Sequence, residues 1–214
     1  MAQQVVIAGL GQFGTVLART LAQLGYDVLA VDRRPEPVRE LADIVGSTVQ
    51  GDTTSPGLWN DLPVKGADTG VVAFGSSMEA NVMTTLLLRR LGVKKVIARS
   101  DSEFQSELLR AVGVDQVVEP WKESAQRLAH TLGSPIEGYI EMTQDFGVAK
   151  VTLAGLPKGV TVRRLYDERG VTVLALRRGD RVVLEPRDDE EVKEDDILIV
   201  AGKDENLRAL PAVV

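Results

Sequence analysis

The chain has no cysteine in its 214 residues. That absence excludes disulfides, thiolate zinc sites and cysteine nucleophiles. It has one histidine, His130, set in a helical stretch (SAQRLAHTLG), and shows no pattern of catalytic groups. Aromatic residues make up only 4%, so valine, leucine and alanine must fill most of any core. No apolar run approaches the ~20 residues a helix needs to cross a bilayer. Positive charge is not in excess either. The net charge is −6 and neither half of the sequence is basic, so the electrostatic footprint of nonspecific nucleic-acid or anionic-membrane binding is missing. The start, MAQQVVIAG, enters a strand pattern at once and lacks a signal-peptide layout, so a soluble cytoplasmic protein is expected. What is present is a 44% hydrophobic composition, enough to build a core and too apolar for a disordered chain.

The most specific local feature is VVIAGLGQFG, residues Val5 to Gly14, followed by Asp32 at the end of the next apolar run. An apolar strand runs directly into Gly9-x-Gly11-x-x-Gly14, and helical spacing begins immediately. Each part has a job. Gly9 permits the tight turn, Gly11 lets a diphosphate approach the backbone, and Gly14 lets the helix pack closely on the sheet. The helix N-terminus offers unpaired N–H groups and partial positive charge to phosphate. Asp32 stands at the spacing at which an acid accepts hydrogen bonds from ribose hydroxyls. The competing reading is a glycine-rich strand–helix turn that binds nothing.

Strand and helix patterns alternate through the first part. Strands are read at Val5–Ala8, Val28–Val31, Ser47–Gln50, Thr69–Phe74, Lys95–Ala98 and Val114–Val118. Helices are read at Gln12–Leu24, Pro35–Ile44, Met78–Leu91, Glu103–Val112 and Pro120–Leu132. In the first helix, Phe13, Val16, Leu17, Thr20, Leu21 and Leu24 are assigned to one side. Right-handed β-α-β connections then predict a Rossmann-like, doubly wound parallel sheet. After the turn Gly133-Ser134-Pro135 the texture changes. Gly138–Leu153 alternates apolar and polar residues, the period of a half-exposed strand. Val171–Leu176 and Arg181–Leu184 flank a hairpin signal, Arg177-Arg178-Gly179-Asp180. A charged stretch from Arg187 to Asp196 precedes apolar Ile197–Ala201, and a short helix is expected at Glu205–Leu210. The expected organisation is a nucleotide-binding α/β domain over 1–119, a crossover helix and linker over 120–136, and a small α+β domain over 137–214. The last is small for independent stability and is expected to be buried against a partner copy. Val160, Val162 and Leu165 there are read as core, with an interface as the alternative.

The segments GLGQFG, AVDRR, GDTT, ANVMTTLLLRRLGVKKVIAR, VVEP and DDILIVAG together give the chain an end-to-end resemblance to the RCK family, the regulators of potassium conductance. It resembles the two-domain form, the cytoplasmic regulatory subunit of Trk/Ktr-type potassium uptake systems. The resemblance implies that the first domain binds an adenine nucleotide, NAD(H) or ATP/ADP. It implies dimers paired through the swapped helix Pro120–Leu132 and assembled into rings, commonly octamers. Such a ring docks on the cytoplasmic face of a membrane potassium channel or transporter subunit and gates it. A second ligand such as cyclic di-AMP binds the C-terminal domain of some members.

Carried across by position, Gly9, Leu10, Gly11, Gln12, Phe13 and Gly14 form the phosphate loop. Asp32 holds the ribose and Arg33 lies near the adenine or the 2′ position. Asp52 and Thr53 reach the adenine. Phe74, Gly75 and Ser76 face the crevice, and Arg99 reaches a terminal phosphate. Asp52 also reads as a turn or helix-cap residue, and Arg99 as a surface ion-pair member. The sequence departs from the ATP-binding Ktr pattern at two places. Gln12 stands where those members carry arginine, and Trp121 stands where they carry a cation-linked glutamate, whose role indole cannot take. No metal ligands and no catalytic residues are assigned. The alternative functions are a nucleotide or second-messenger sensor serving another transporter, and an NAD-dependent oxidoreductase, against which stands the lack of a proton relay.

Overall fold

The computed structural model describes residues 2–132, 135–153 and 159–211, which form two compact units, 1–121 and 122–214. Gly133 and Ser134 of the expected interdomain turn lie outside the described residues.

The first unit follows the alternating pattern. Its strands are β1 (Gln4–Ala8), β2 (Asp27–Asp32), β3 (Ser47–Gln50), β4 (Thr69–Val72), β5 (Lys95–Arg99) and β6 (Gln116–Val118). The helices are α1 (Gln12–Gln23), α2 (Pro35–Leu41), α3 (Pro56–Asn60), α4 (Met78–Arg90) and α5 (Glu103–Ala111), with α6 (Pro120–Thr131) starting at the unit boundary. The strands form one parallel sheet in the order β3-β2-β1-β4-β5-β6. Both of its faces are buried, as continuous apolar strands require. Val5 and Ile7 of β1 join Leu10, Ala18, Val28, Ala30 and Leu41 on one face. Val6 and Ala8 join Leu29, Val31, Trp59, Leu88 and Leu109 on the other. The chain order reverses between β1 and β4, which opens a crevice beyond the carboxyl ends of the strands.

The first helix meets the sheet through small residues. Gly14 and Ala18 are its buried positions, and Phe13, Leu17 and Leu21 pack beside them. Val16 and Leu24, assigned to the same side from the sequence, are 65% and 69% exposed. At about 100° per residue, Val16 stands roughly 200° around the helix from Gly14, so close approach at the glycine turns it to solvent. The helix α3 carries no clear sequence period, yet its Trp59 is fully buried and donates from Nε1 to the Thr53 carbonyl at 2.8 Å.

The second unit is an antiparallel sheet of β7 (Ile136–Thr143), β8 (Phe146–Thr152), β9 (Val171–Arg178), β10 (Arg181–Leu184) and β11 (Ile197–Lys203), ordered β10-β9-β11-β8-β7. The alternating stretch read as one strand is therefore a hairpin, turned where Asp145 adopts φ 61°. Gly179-Asp180 makes the turn of the β9–β10 hairpin. Among the described residues, α7 (Val162–Arg169), α8 (Asp204–Arg208) and all of α6 after Trp121 belong to this unit. Thr161 caps the first turn of α7 by accepting from the Arg164 N–H, and Gly170 ends it in the left-handed region at φ 65°. Val160, Val162 and Leu165 are buried in the core with Val173, Leu198 and Leu207. Arg178 forks onto Asp196, which is 1% exposed, with bonds of 2.8 and 2.7 Å.

Candidate nucleotide-binding site

A crevice of about 640 Å³ opens at the carboxyl end of the parallel sheet. Its lining follows strand order. Asp52, Thr53 and Thr54 come from the end of β3, Asp32, Arg33 and Arg34 from β2, and Gly9 and Gly11 from β1. Phe74 to Ser77 come from the end of β4, with Glu79, Ala80 and Met83 on α4 beside them. Arg99 and Asp101 come from β5. The crevice brings together ten of the sequence-assigned positions: Gly9, Gly11, Asp32, Arg33, Asp52, Thr53, Phe74, Gly75, Ser76 and Arg99. Leu10, Gln12, Phe13 and Gly14 do not line it. Leu10 and Gln12 instead border a shallower groove with Thr15, Val16, Arg34 and Glu36. Gly14 is buried beneath the turn, and Phe13 packs against the core with its ring 5.9 Å from the Arg99 guanidinium.

The glycines have distinct roles. Gly9 is at φ 99°, and a Cβ there would stand 2.5 Å from the Phe74 ring. A Cβ on Gly14 would stand 2.0 Å from the Gly9 carbonyl oxygen, so only glycine lets α1 start this close to β1. A Cβ on Gly11 would meet nothing within 4 Å, and Gly11 lines both the crevice and the shallower groove beside it. No side chain among the described residues caps the N-terminus of α1, whereas Ser77 caps α4 and Ser102 caps α5. An uncapped N-terminus at the crevice leaves first-turn N–H groups for an anion.

Asp32 is 6% exposed and already serves the protein. Its Oδ2 accepts from the Leu10 N–H at 2.6 Å, and its Oδ1 accepts from the Arg34 N–H at 2.8 Å and Nε at 3.2 Å. Burial pushes its carboxyl up, but the Arg34 side chain and the Arg34 and Leu10 N–H groups outweigh burial and hold it below the ordinary aspartate value. Arg34 also donates to the Leu10 carbonyl at 3.0 Å, clipping the glycine loop to the end of β2. The arginine that engages Asp32 is thus Arg34; Arg33 makes no side-chain ion pair among the described residues.

The loop after β3 is fixed from within. Asp52 accepts from the Thr54 N–H at 2.9 Å and its hydroxyl at 2.7 Å, a turn motif that leaves the carboxylate at the rim. These bonds hold the Asp52 carboxyl low. Thr53 is buried, and its hydroxyl accepts from that of Thr84 at 3.2 Å. On the far side Arg99 is committed to Asp101, with Nε and Nη2 at 3.0 and 2.7 Å. It is an ion-pair member as well as a lining residue. The polar and charged lining residues not assigned from the sequence are Arg34, Thr54, Ser77, Glu79 and Asp101. Arg34 and Asp101 had a signal: each is a charge within two residues of an assigned site residue of opposite sign. The described residues contain no group of three or more His, Asp or Glu placed to hold a metal ion, and no helix among them is long and apolar enough to cross a membrane.

Comparison with known proteins agrees with this fold. The TrkA-N domain model matches residues 5–120 and the TrkA-C domain model residues 151–212. The chain is 30% identical over 205 residues to Ktr system potassium uptake protein C of Bacillus subtilis, covering 94% of this chain and 93% of that one. It is 26% identical over 208 residues to Ktr system potassium uptake protein A of Vibrio alginolyticus, covering 96% and 94%. Among solved structures, the GsuK channel bound to NAD superposes with a TM-score of 0.65 at 20% identity over 97% of this chain, which spans 38% of that channel. The NAD(P)-binding domain of an exopolyphosphatase-related protein from Archaeoglobus fulgidus superposes with a TM-score of 0.52 at 28% identity, over 60% of this chain and 96% of that one. With both domain models matched in order and the Bacillus subtilis protein aligned along nearly its whole length, the chain belongs to the family of Ktr and Trk system potassium uptake proteins that join a TrkA-N to a TrkA-C domain.

Proposed function

We propose that this chain is the nucleotide-binding regulatory subunit of a Trk/Ktr-type potassium uptake system, acting at the cytoplasmic face of a membrane partner and not as an enzyme. The observation that carries the reading is the crevice itself: an uncapped helix N-terminus, an open Gly11 and a buried acid at the end of β2 meet at the switch point of the sheet. The relatives that share the whole chain length are potassium uptake proteins, which favours regulation over hydride transfer.

The ligand is an adenine nucleotide. Its adenine lies by Asp52 and Thr53, its ribose at Asp32 and its phosphates at Gly11 and the start of α1. Ribose hydroxyls compete with Arg34 for Asp32, whose longest contact from Arg34 is Nη2 to Oδ2 at 3.4 Å. Arg99 is neutralised by Asp101, with Glu79 nearby, so the far half of the crevice offers no unpaired arginine to a terminal phosphate. That balance favours NAD(H) over ATP. Ring assembly through copies of this chain would pass the ligand state to the membrane subunit; a ligand shifts that equilibrium only through its differential affinity for two shapes. Potassium uptake by cells lacking the gene tests the reading. Uptake should fall and return with the wild-type gene but not with a Gly11→Ala copy. Unchanged uptake in the deletion strain would refute it.

A further inference from the structure

Asn81 is a neutral amide with no exposed surface, in the first turn of α4. Its Nδ2 donates to the carbonyls of both Phe74 and Arg99, each at 2.8 Å. Only the nitrogen of the amide can face two acceptors, so chemistry fixes its orientation. Its Oδ1 is buried with no partner among the described residues, an arrangement that costs free energy and that an apolar residue would avoid. The side chain is therefore placed for what its donors hold. The ladder between β4 and β5 ends at Val72 and Ala98, and beyond it the two chains separate into the crevice loops. Asn81 ties them together where the ladder stops.

Gln105 repeats the device from α5. It is 3% exposed, donates from Nε2 to the Gly75 carbonyl at 3.2 Å and accepts from the Asp101 N–H at 2.9 Å. Two buried amides from two helices thus bridge the same pair of loops, and neither lines the crevice. We infer that Asn81 and Gln105 are positioning residues that set the gap between the β4 and β5 loops and so determine how the part of the ligand beyond its first phosphate is held. The inference rests on the nucleotide reading above. Strand order places adenosine at β2 and β3 and the remainder at β4 and β5, so the two halves of a ligand report separately.

The test is calorimetric titration of wild-type, Asn81→Leu and Gln105→Leu protein with AMP, NAD and ATP, with a melting curve for each variant. Leucine has the same number of side-chain heavy atoms as asparagine and one fewer than glutamine, and it removes the amide's hydrogen-bonding atoms; the melting curves report any cost of its larger methyl groups. AMP affinity should change less than about twofold, whereas the affinity gained from AMP to the better of NAD and ATP should fall at least about tenfold. Gln105→Leu keeps the test open if Asn81→Leu does not fold. Equal losses for all three ligands would show a merely structural role and overturn the inference. So would unchanged affinities, or a wild-type protein that gains nothing from AMP to NAD or ATP. Wild-type protein that binds none of the three would overturn the nucleotide reading itself and this inference with it.

Discussion

Two glycines three residues apart should fail in opposite ways when each is replaced by alanine. At Gly14 the new Cβ would lie 2.0 Å from the Gly9 carbonyl oxygen and 3.1 Å from the Ala73 Cβ. The first distance is about 1.5 Å inside the ~3.5 Å optimum for non-bonded heavy atoms. Both obstacles are backbone or core, so α1 must move away from the sheet. Overpacking in a well-packed core costs about 1–3 kcal/mol, and a backbone clash belongs at the upper end. At roughly 2–4 °C per kcal/mol for a chain of this size, Gly14→Ala should lower Tm by about 6–12 °C. At Gly11 a Cβ meets nothing within 4 Å. The cost is limited to exchanging glycine for alanine at a helix N-cap, below about 1 kcal/mol. Gly11 lines the crevice, and in the proposed reading a methyl group there takes space from the phosphates. Gly11→Ala should therefore fold almost as well as wild type and lose at least about tenfold in nucleotide affinity, which is about 1.4 kcal/mol. Thermal melts and calorimetric titration with NAD and ATP measure both effects. Gly14→Ala melting with wild type, or Gly11→Ala binding like wild type, would refute the division of labour.

Three further outcomes follow from the contacts described. Asp32→Ala should weaken AMP, NAD and ATP alike, and should also destabilise the unit by about 1–3 kcal/mol because the buried Leu10 N–H loses its acceptor; a loss confined to one ligand in titrations would contradict it. Arg178→Met should cost the second unit about 3 kcal/mol in urea unfolding, since it strands the buried Asp196 carboxylate; a cost below about 0.5 kcal/mol would mean the pair is inert. Asp32 and Asp196 are both held below the aspartate value of 3.8 in the folded chain, in each case against burial and chiefly by their arginine partners. Their contribution is fully present above that value and is lost as pH falls through the folded pKa. Stability should thus be level near neutrality and fall below about pH 4, with a shallower fall in Asp196→Asn; equal slopes in both proteins would contradict this.

The parallel sheet was legible because doubly buried strands leave unbroken apolar runs, and the glycine turn because its backbone demands are met by one residue type. Other features left weaker traces. The face of α1 was misjudged at Val16 and Leu24 because apolar periodicity weights large side chains, whereas contact with the sheet is made by Gly14 and Ala18. The helix α3 escaped because five residues are too few to show a period. The helix α7 is mostly charged and buries only Val162 and Leu165, so its readable signal lay in its caps, Thr161 and Gly170. At the site, spacing located Asp32 and the family resemblance Arg99, but neither located their partners. Whether an acid faces a ligand or an arginine depends on side-chain geometry, as the bonds from Arg34 and to Asp101 show.

The central claim is that the crevice holds an adenine nucleotide. Calorimetric titration of the purified full chain with NAD, NADH, ATP, ADP and AMP tests it most directly, with Gly11→Ala run in parallel. At least one of these should bind with a Kd below about 100 μM, near −5.5 kcal/mol, and lose at least about tenfold in the variant. No binding by any of the five, or binding that Gly11→Ala leaves unchanged, would contradict the claim.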